Sequence, residues 1–231
     1  MRTGHVTIGS RMMTSAPPGF VYRPEFISVA EETALLDELP RLSYGGVKMR
    51  GVLARRRVAH FGWLYGYESW RIEPGPALPD FLLPLRAHAG RLAGVTPESL
   101  AEVLVTEYPP GAGIGWHRDA PMFDVVVGVS LLSPCRFRFQ RGKGAARETA
   151  AVTLEPRSGY LLAAAARSEW QHSIPPTRAL RYSITFRTLR SERRREHAGV
   201  AATLARGAGP YAKRQPSSCR GSAGTMRSGR S

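Results

Sequence analysis

Between residues 103 and 189 the chain reads as one short β segment after another. Residues 103–108, 124–132, 135–141, 150–154, 159–164, 169–174 and 180–189 carry the strand pattern, and turn signals such as Gly142-Lys143-Gly144 separate them. A chain of many short strands has few ways to bury its apolar faces, and a sandwich or barrel is the usual one. The last segment is the most explicit. In Arg181-Tyr182-Ser183-Ile184-Thr185-Phe186-Arg187 polar and apolar residues alternate without a break. Arg181, Ser183, Thr185 and Arg187 therefore share one face of a half-buried strand, and Tyr182, Ile184 and Phe186 share the other. Arginines on an inward polar face are costly unless they meet anions. The guanidinium fork suits a dicarboxylate guest. On an edge strand the same arginines would simply be solvated.

Upstream of the strands the pattern changes. Residues 28–39 predict an amphipathic helix, with Ser28 as N-cap, Glu31 completing a capping box and Pro40 closing it. Residues 79–92 predict a second helix, with Asp80 early, Arg86 and Arg91 late, and Pro84 moving the start downstream. Residues 97–100 add a further helical turn, and residues 44–67 read as strands and loops. The fold class expected is mainly β with flanking helices (α+β). Three segments follow: an unstructured stretch over 1–18, one catalytic domain over 19–190 and a basic tail over 191–231.

The chemistry concentrates in Gly115-Trp116-His117-Arg118-Asp119 and the distant His172. On a strand, His117 and Asp119 would point to one face. A second imidazole would complete a two-His-one-carboxylate set, which leaves open positions on one side of a non-haem Fe(II). His-x-Asp alone is weak evidence, but its neighbourhood adds to it. Thr106-Glu107-Tyr108-Pro109-Pro110-Gly111 precedes it, with Tyr108 able to project a hydroxyl into the same pocket. The Gly-rich stretch from Gly111 to Gly115 lacks a following helix and is read as a turn, not a nucleotide loop. The run from Arg56 to Tyr67 is basic and then aromatic. It suits either a surface that holds a phosphate backbone and stacks on a base or an aromatic hairpin packed on the barrel. Arg138 lines the substrate mouth or belongs to an ordinary polar strand face, and Trp116 and Trp170 serve either core packing or substrate stacking.

Taken together, Tyr108-Pro109-Pro110-Gly111, His117-x-Asp119, His172 and Arg181-x5-Arg187 resemble the AlkB family of Fe(II)/2-oxoglutarate-dependent dioxygenases, over roughly residues 20 to 190. The resemblance implies a double-stranded β-helix (jelly-roll) core. It implies that His117, Asp119 and His172 ligate iron, and that Arg181 salt-bridges the distal carboxylate of 2-oxoglutarate. Arg187 would lie beside Asp119 and the proximal carboxylate, and Tyr108 would hydrogen-bond the co-substrate. Thr106 and Ser183 stand where the family prototype has asparagines, and they keep hydrogen-bonding capacity with shorter reach. The DNA-repair prototype places a second acid two residues after the metal aspartate, where this chain has Pro121. The implied reaction consumes 2-oxoglutarate and dioxygen and hydroxylates a C–H bond, so that an N-methyl group leaves as formaldehyde. Oxidative demethylation of N-alkylated bases, presented single-stranded or flipped, is the expected function. Hydroxylation or demethylation of protein or of modified tRNA is a second reading, supported by a looser likeness of residues 57–67 to the wobble-uridine hydroxylase branch. A non-catalytic nucleic-acid-binding protein is a third.

Composition bounds these readings. The 231 residues carry a net charge of +15, which favours an anionic partner, nucleic acid first. Residues 190–231 hold ten Lys/Arg against two Glu, so about half the excess lies in a Gly-, Ser- and Ala-rich tail of disordered character. Two cysteines, Cys135 and Cys219, give no disulfide framework and point to the cytoplasm. No run approaches the ~18 apolar residues of a membrane span.

Overall fold

The computed structural model describes residues 11–12, 16–49, 52–65 and 72–190. Among them, two sheets are built. The larger runs β2 (Phe20–Arg23), β11 (Ser158–Leu162), β8 (Phe123–Leu131), β13 (Arg181–Leu189), β6 (Leu100–Tyr108), β4 (Val52–Tyr65) and β3 (Gly45–Met49), with β5 (Ile72–Pro74) paired to β4. The smaller runs β1 (Arg11–Met12), β10 (Glu148–Leu154), β9 (Cys135–Arg141), β12 (Gln171–Ile174) and β7 (Ile114–His117). From β6 onward the chain changes sheet at every connection except that between β9 and β10. This is the jelly-roll connectivity, as expected for the fold class. Every pairing is antiparallel except β1 with β10, whose parallel register (Arg11 opposite Glu148) places a strand pair inside the stretch expected to lack structure.

Two cores follow from the period of two. On one face of the larger sheet, Val103, Val105, Val127, Val129, Leu131, Tyr182, Ile184 and Phe186 pack against the helices. These are α1 (Val29–Glu38) and α2 (Leu83–Ala93). The capping box of α1 forms as expected: Ser28 Oγ accepts from the Glu31 amide at 3.2 Å, and the Glu31 carboxylate accepts from the Ser28 amide at 2.8 Å. α2 begins at Leu83, after a 3₁₀ turn, with Pro84 in its first turn, where the missing N–H does no harm. Between the sheets lies the second core, with Phe137, Phe139 and Ile174 of the smaller sheet against Tyr108, Val126, Tyr160 and Leu162 of the larger.

β13 departs from its sequence reading. It lies between β8 and β6, and all nine of its residues are buried. The alternation still sorts the two faces, but both are covered, one by helices and one by the smaller sheet. Two short elements carried no clear pattern: β2, paired with β11, and α3 (Ala164–Ser168), which joins β11 to β12. No helix among the described residues is long and apolar enough to cross a membrane.

Candidate active site

The inner face of the larger sheet is where the polar residues collect. On β13 these are Arg181, Ser183, Thr185 and Arg187. Opposite them on β6, in register, stand Tyr108, Thr106, Leu104 and Glu102. β4 continues the layer, with Val58 opposite Thr106 and His60 opposite Leu104. The smaller sheet brings the imidazoles: His117 on β7 faces His172 on β12 as a direct cross-strand pair, with ring centroids 4.3 Å apart.

Asp119 joins them by another route than the one expected. β7 ends at His117, so Asp119 lies beyond the strand and the period of two does not place it. Arginines do. Arg187 donates from Nε (3.1 Å) and Nη2 (2.8 Å) to Asp119 Oδ1. Buried Arg167 donates from Nη2 to the carbonyls of Ala120 (2.6 Å) and Phe123 (2.8 Å), fixing the loop that follows. Asp119 Oδ2 then lies 3.6 Å from His172 Nε2. One ligand atom from each of His117, Asp119 and His172 falls within 4.8 Å of the others.

The protonation states suit a metal. Ligand histidines must be neutral and a ligand carboxylate ionised. Burial pushes the His172 imidazole down to about 3, against the pull of Asp119. Burial also lowers His117, whose Nδ1 lies 2.9 Å from the Gly115 carbonyl. A carbonyl only accepts, so Nδ1 carries the proton and Nε2 offers its lone pair. Burial works to raise the Asp119 carboxyl, but Arg187, His172 and His117 outweigh it and hold the group well below the usual carboxylate range. Neutral imidazoles and an anionic carboxylate fit a divalent ion.

The two arginines of β13 have different surroundings. Arg187 is held by carboxylates, with Nη1 donating to Glu102 Oε2 at 2.6 Å besides its bonds to Asp119. Arg181 is fully buried and donates from Nε to Ser130 Oγ at 3.0 Å, while among the described residues its Nη1 and Nη2 have no hydrogen-bond partner. Its guanidinium stacks on the Tyr108 ring at 5.1 Å. A buried cation with two unused donors calls for an anion, and a carboxylate fits their fork.

Above the triad opens a cavity of about 480 Å³, lined by His117, Asp119 and His172 and by Thr106, Tyr108, Ser183 and Arg187. Of the residues expected in the site, seven of eight thus line one cavity, while Arg181 adjoins it through Tyr108. Arg56 and His60 of β4 also line it, with apolar Val58, Leu104 and Ile114, so the basic start of the 56–67 run forms one wall, while residues 66 and 67 lie outside the described residues. Arg138 is not in the wall; it donates from Nε to Ser173 Oγ at 3.2 Å and stacks on the half-exposed Trp116 at 5.0 Å. Trp170 is fully buried. Glu102, Ser130 and Tyr160 were missed. Glu102 had a signal: it stands four residues before Thr106, on the same strand face, where a carboxylate needs a partner.

A family model described as the 2OG-Fe(II) oxygenase superfamily matches residues 19–193. The chain is 29% identical over 182 residues to the "Alkylated DNA repair protein ALKBH8 homolog" of Arabidopsis thaliana, covering 68% of this chain and 51% of that protein. It is 28% identical over 170 residues to the "tRNA (carboxymethyluridine(34)-5-O)-methyltransferase ALKBH8" of Mus musculus, covering 71% and 25%. The chain thus spans about half and a quarter of these relatives. The solved structure of OsALKBH1 shares the fold, with a TM-score of 0.60 at 16% identity, covering 76% of this chain and 99% of that one. The family model over residues 19–193 leads to one conclusion: the chain belongs to the 2OG-Fe(II) oxygenase superfamily, whose oxidoreductases use Fe(II), 2-oxoglutarate and dioxygen.

Proposed function

We propose that this oxygenase acts on a modified base in nucleic acid, removing N-alkyl groups by oxidation. The observation that carries the reading is the shape and charge of the cavity. It has the size of a small-molecule site, the triad lies within it, and Arg56 and Arg118 line it. Exposed Arg55 adds a further cation beside the Gly111 turn. Cations around a base-sized pocket suit phosphates flanking a flipped base. Two relatives, one named for DNA repair and the other for tRNA modification, support the same class of substrate.

Iron with 2-oxoglutarate and dioxygen supplies the oxidation of the substrate C–H bond. The residues do the rest. His117, Asp119 and His172 would hold the metal, and the cavity lies beside them. Arg181 would offer Nη1 and Nη2 to a carboxylate of the co-substrate, and Tyr108, Thr106 and Ser183 would offer hydroxyls to the same molecule. Arg187 orients Asp119. Residues 19–190 form the catalytic unit, and the basic segment 191–231 adds charge for non-specific binding.

A second reading, hydroxylation of a modified tRNA base, is favoured by one observation. Among the described lining residues the only carboxylate is Asp119, beside Arg56, Arg118 and Arg187. A cationic N-methylated base would meet no acid there beyond the metal ligand Asp119, whereas a neutral or anionic modification would meet the arginines. Mass spectrometry of N-methylated DNA and RNA oligonucleotides and of modified tRNA, after incubation with the full chain, Fe(II) and 2-oxoglutarate, separates the two. Methyl loss abolished in His117→Ala supports demethylation. A gain of one oxygen on tRNA alone selects the second reading. Succinate formation with neither product moves the substrate to protein, and no succinate at all refutes the assigned site.

A further inference from the structure

Glu102 does not belong to the ligand set, yet it is tied to it. It lies on β6 opposite Arg187 of β13 and is 3% exposed. Its Oε2 accepts from Arg187 Nη1 at 2.6 Å, and its Oε1 lies 3.7 Å from Nδ1 of His60, a residue of the cavity wall. From the other edge of the same guanidinium, Nε and Nη2 both reach a single oxygen of Asp119, Oδ1. The opposite oxygen, Oδ2, is the one that faces His172 Nε2. The Phe123 ring lies 5.5 Å from the Arg187 guanidinium carbon. Arg187 is thus clamped between two carboxylates, only one of which belongs to the metal set.

We propose that Glu102 is a positioning residue for the metal centre. By holding Arg187, it keeps Asp119 Oδ1 occupied and Oδ2 presented as a single ligand oxygen. Its charge also balances that of Arg187 beside the metal site. His60 stands beside Glu102 on the cavity side. The inference rests on the ligand set assigned above.

Cobalt(II) serves as a spectroscopic probe of the site in the full-length chain, titrated without co-substrate and followed by its visible d–d bands. In Glu102→Gln, Co(II) affinity falls by about tenfold or more, and the band pattern changes because Asp119 is released to offer both oxygens. Glu102→Asp, which keeps the charge, recovers part of the affinity. In an Arg187→Gln background, Glu102→Gln has no further effect, since it acts through Arg187. Unchanged affinity and bands in Glu102→Gln, even with a lowered Tm, would overturn the inference, as would equal weakening in both backgrounds. If Glu102→Gln alone does not fold, comparing the neutral pair Glu102→Gln/Arg187→Gln with Arg187→Gln decides: equal affinity supports the inference and a further loss refutes it. Failure of the unmodified protein to bind Co(II) would instead refute the ligand set.

Discussion

Arg181 and His172 carry opposite kinds of burial. Arg181 is buried against Ser130 and the Tyr108 ring, and among the described residues no carboxylate pairs with it. Replacing it by methionine should stabilise the metal-free protein, visible as a raised Tm. The same variant should weaken 2-oxoglutarate binding by about 3 kcal/mol, roughly two orders of magnitude, and leave Co(II) affinity near that of the unmodified chain. Calorimetric titration reads both constants, and co-substrate binding that survives would remove Arg181 from its role. His172 instead gives up its charge. Its folded-state pKa of about 3 lies below the ordinary 6.5, so between these values the unfolded chain binds a proton that the folded chain does not. Stability of the metal-free protein therefore falls as pH drops from about 6.5 toward 3, with a limiting slope of about 1.4 kcal/mol per pH unit from this residue. Asp119, depressed in the fold, adds a loss below its unfolded value near 4. Denaturant unfolding across pH checks this: His172→Gln should flatten the slope between 4.5 and 6.5.

Strands β8 and β11 shape the cavity by a size exchange. Gly128 of β8 lies opposite Tyr160 of β11, and a Cβ there would overlap the Tyr160 ring. Gly128 thus gives a cavity-lining ring its place. Gly128→Ala should destabilise the fold by about 1–3 kcal/mol through overpacking. The displaced ring should lower co-substrate affinity as well, and a variant with unchanged melting and binding would show that Tyr160 has room to spare. Helix α1 bears on stability through its buried Leu35 and through its cap. Ser28→Ala removes an exposed capping box far from the cavity and should cost about 1 kcal/mol with turnover unchanged.

Charge is the property that belongs to the whole chain. The excess of +15 is divided between the folded unit and residues 190–231. Each phosphate contact contributes about 0.7 to the slope of log K against log salt for single strands. Deleting residues 191–231 should make that slope shallower while leaving turnover of a saturating short substrate unchanged. An unaltered slope would assign the electrostatic contacts to Arg55, Arg56 and Arg118 around the cavity.

The fold class, the helix cap, most strands and the ligand types were legible in local patterns, because strand alternation, capping and metal chemistry depend on residues a few positions apart. His117, His172, Arg181 and Arg187 are named by such patterns. Their partners are not. Asp119 was placed by a strand that ends two residues too soon, and β13 read as half-buried although it lies at the centre of its sheet. Ser130, Tyr160 and Glu102 enter the site through pairings over long sequence distances: Ser130 meets Arg181 51 residues away, and Glu102 meets Arg187 85 residues away. A period of two fixes which face a side chain takes, but strand order and register fix what it meets there. Those are set by the packing of two sheets over one cavity, and no window of the chain contains them.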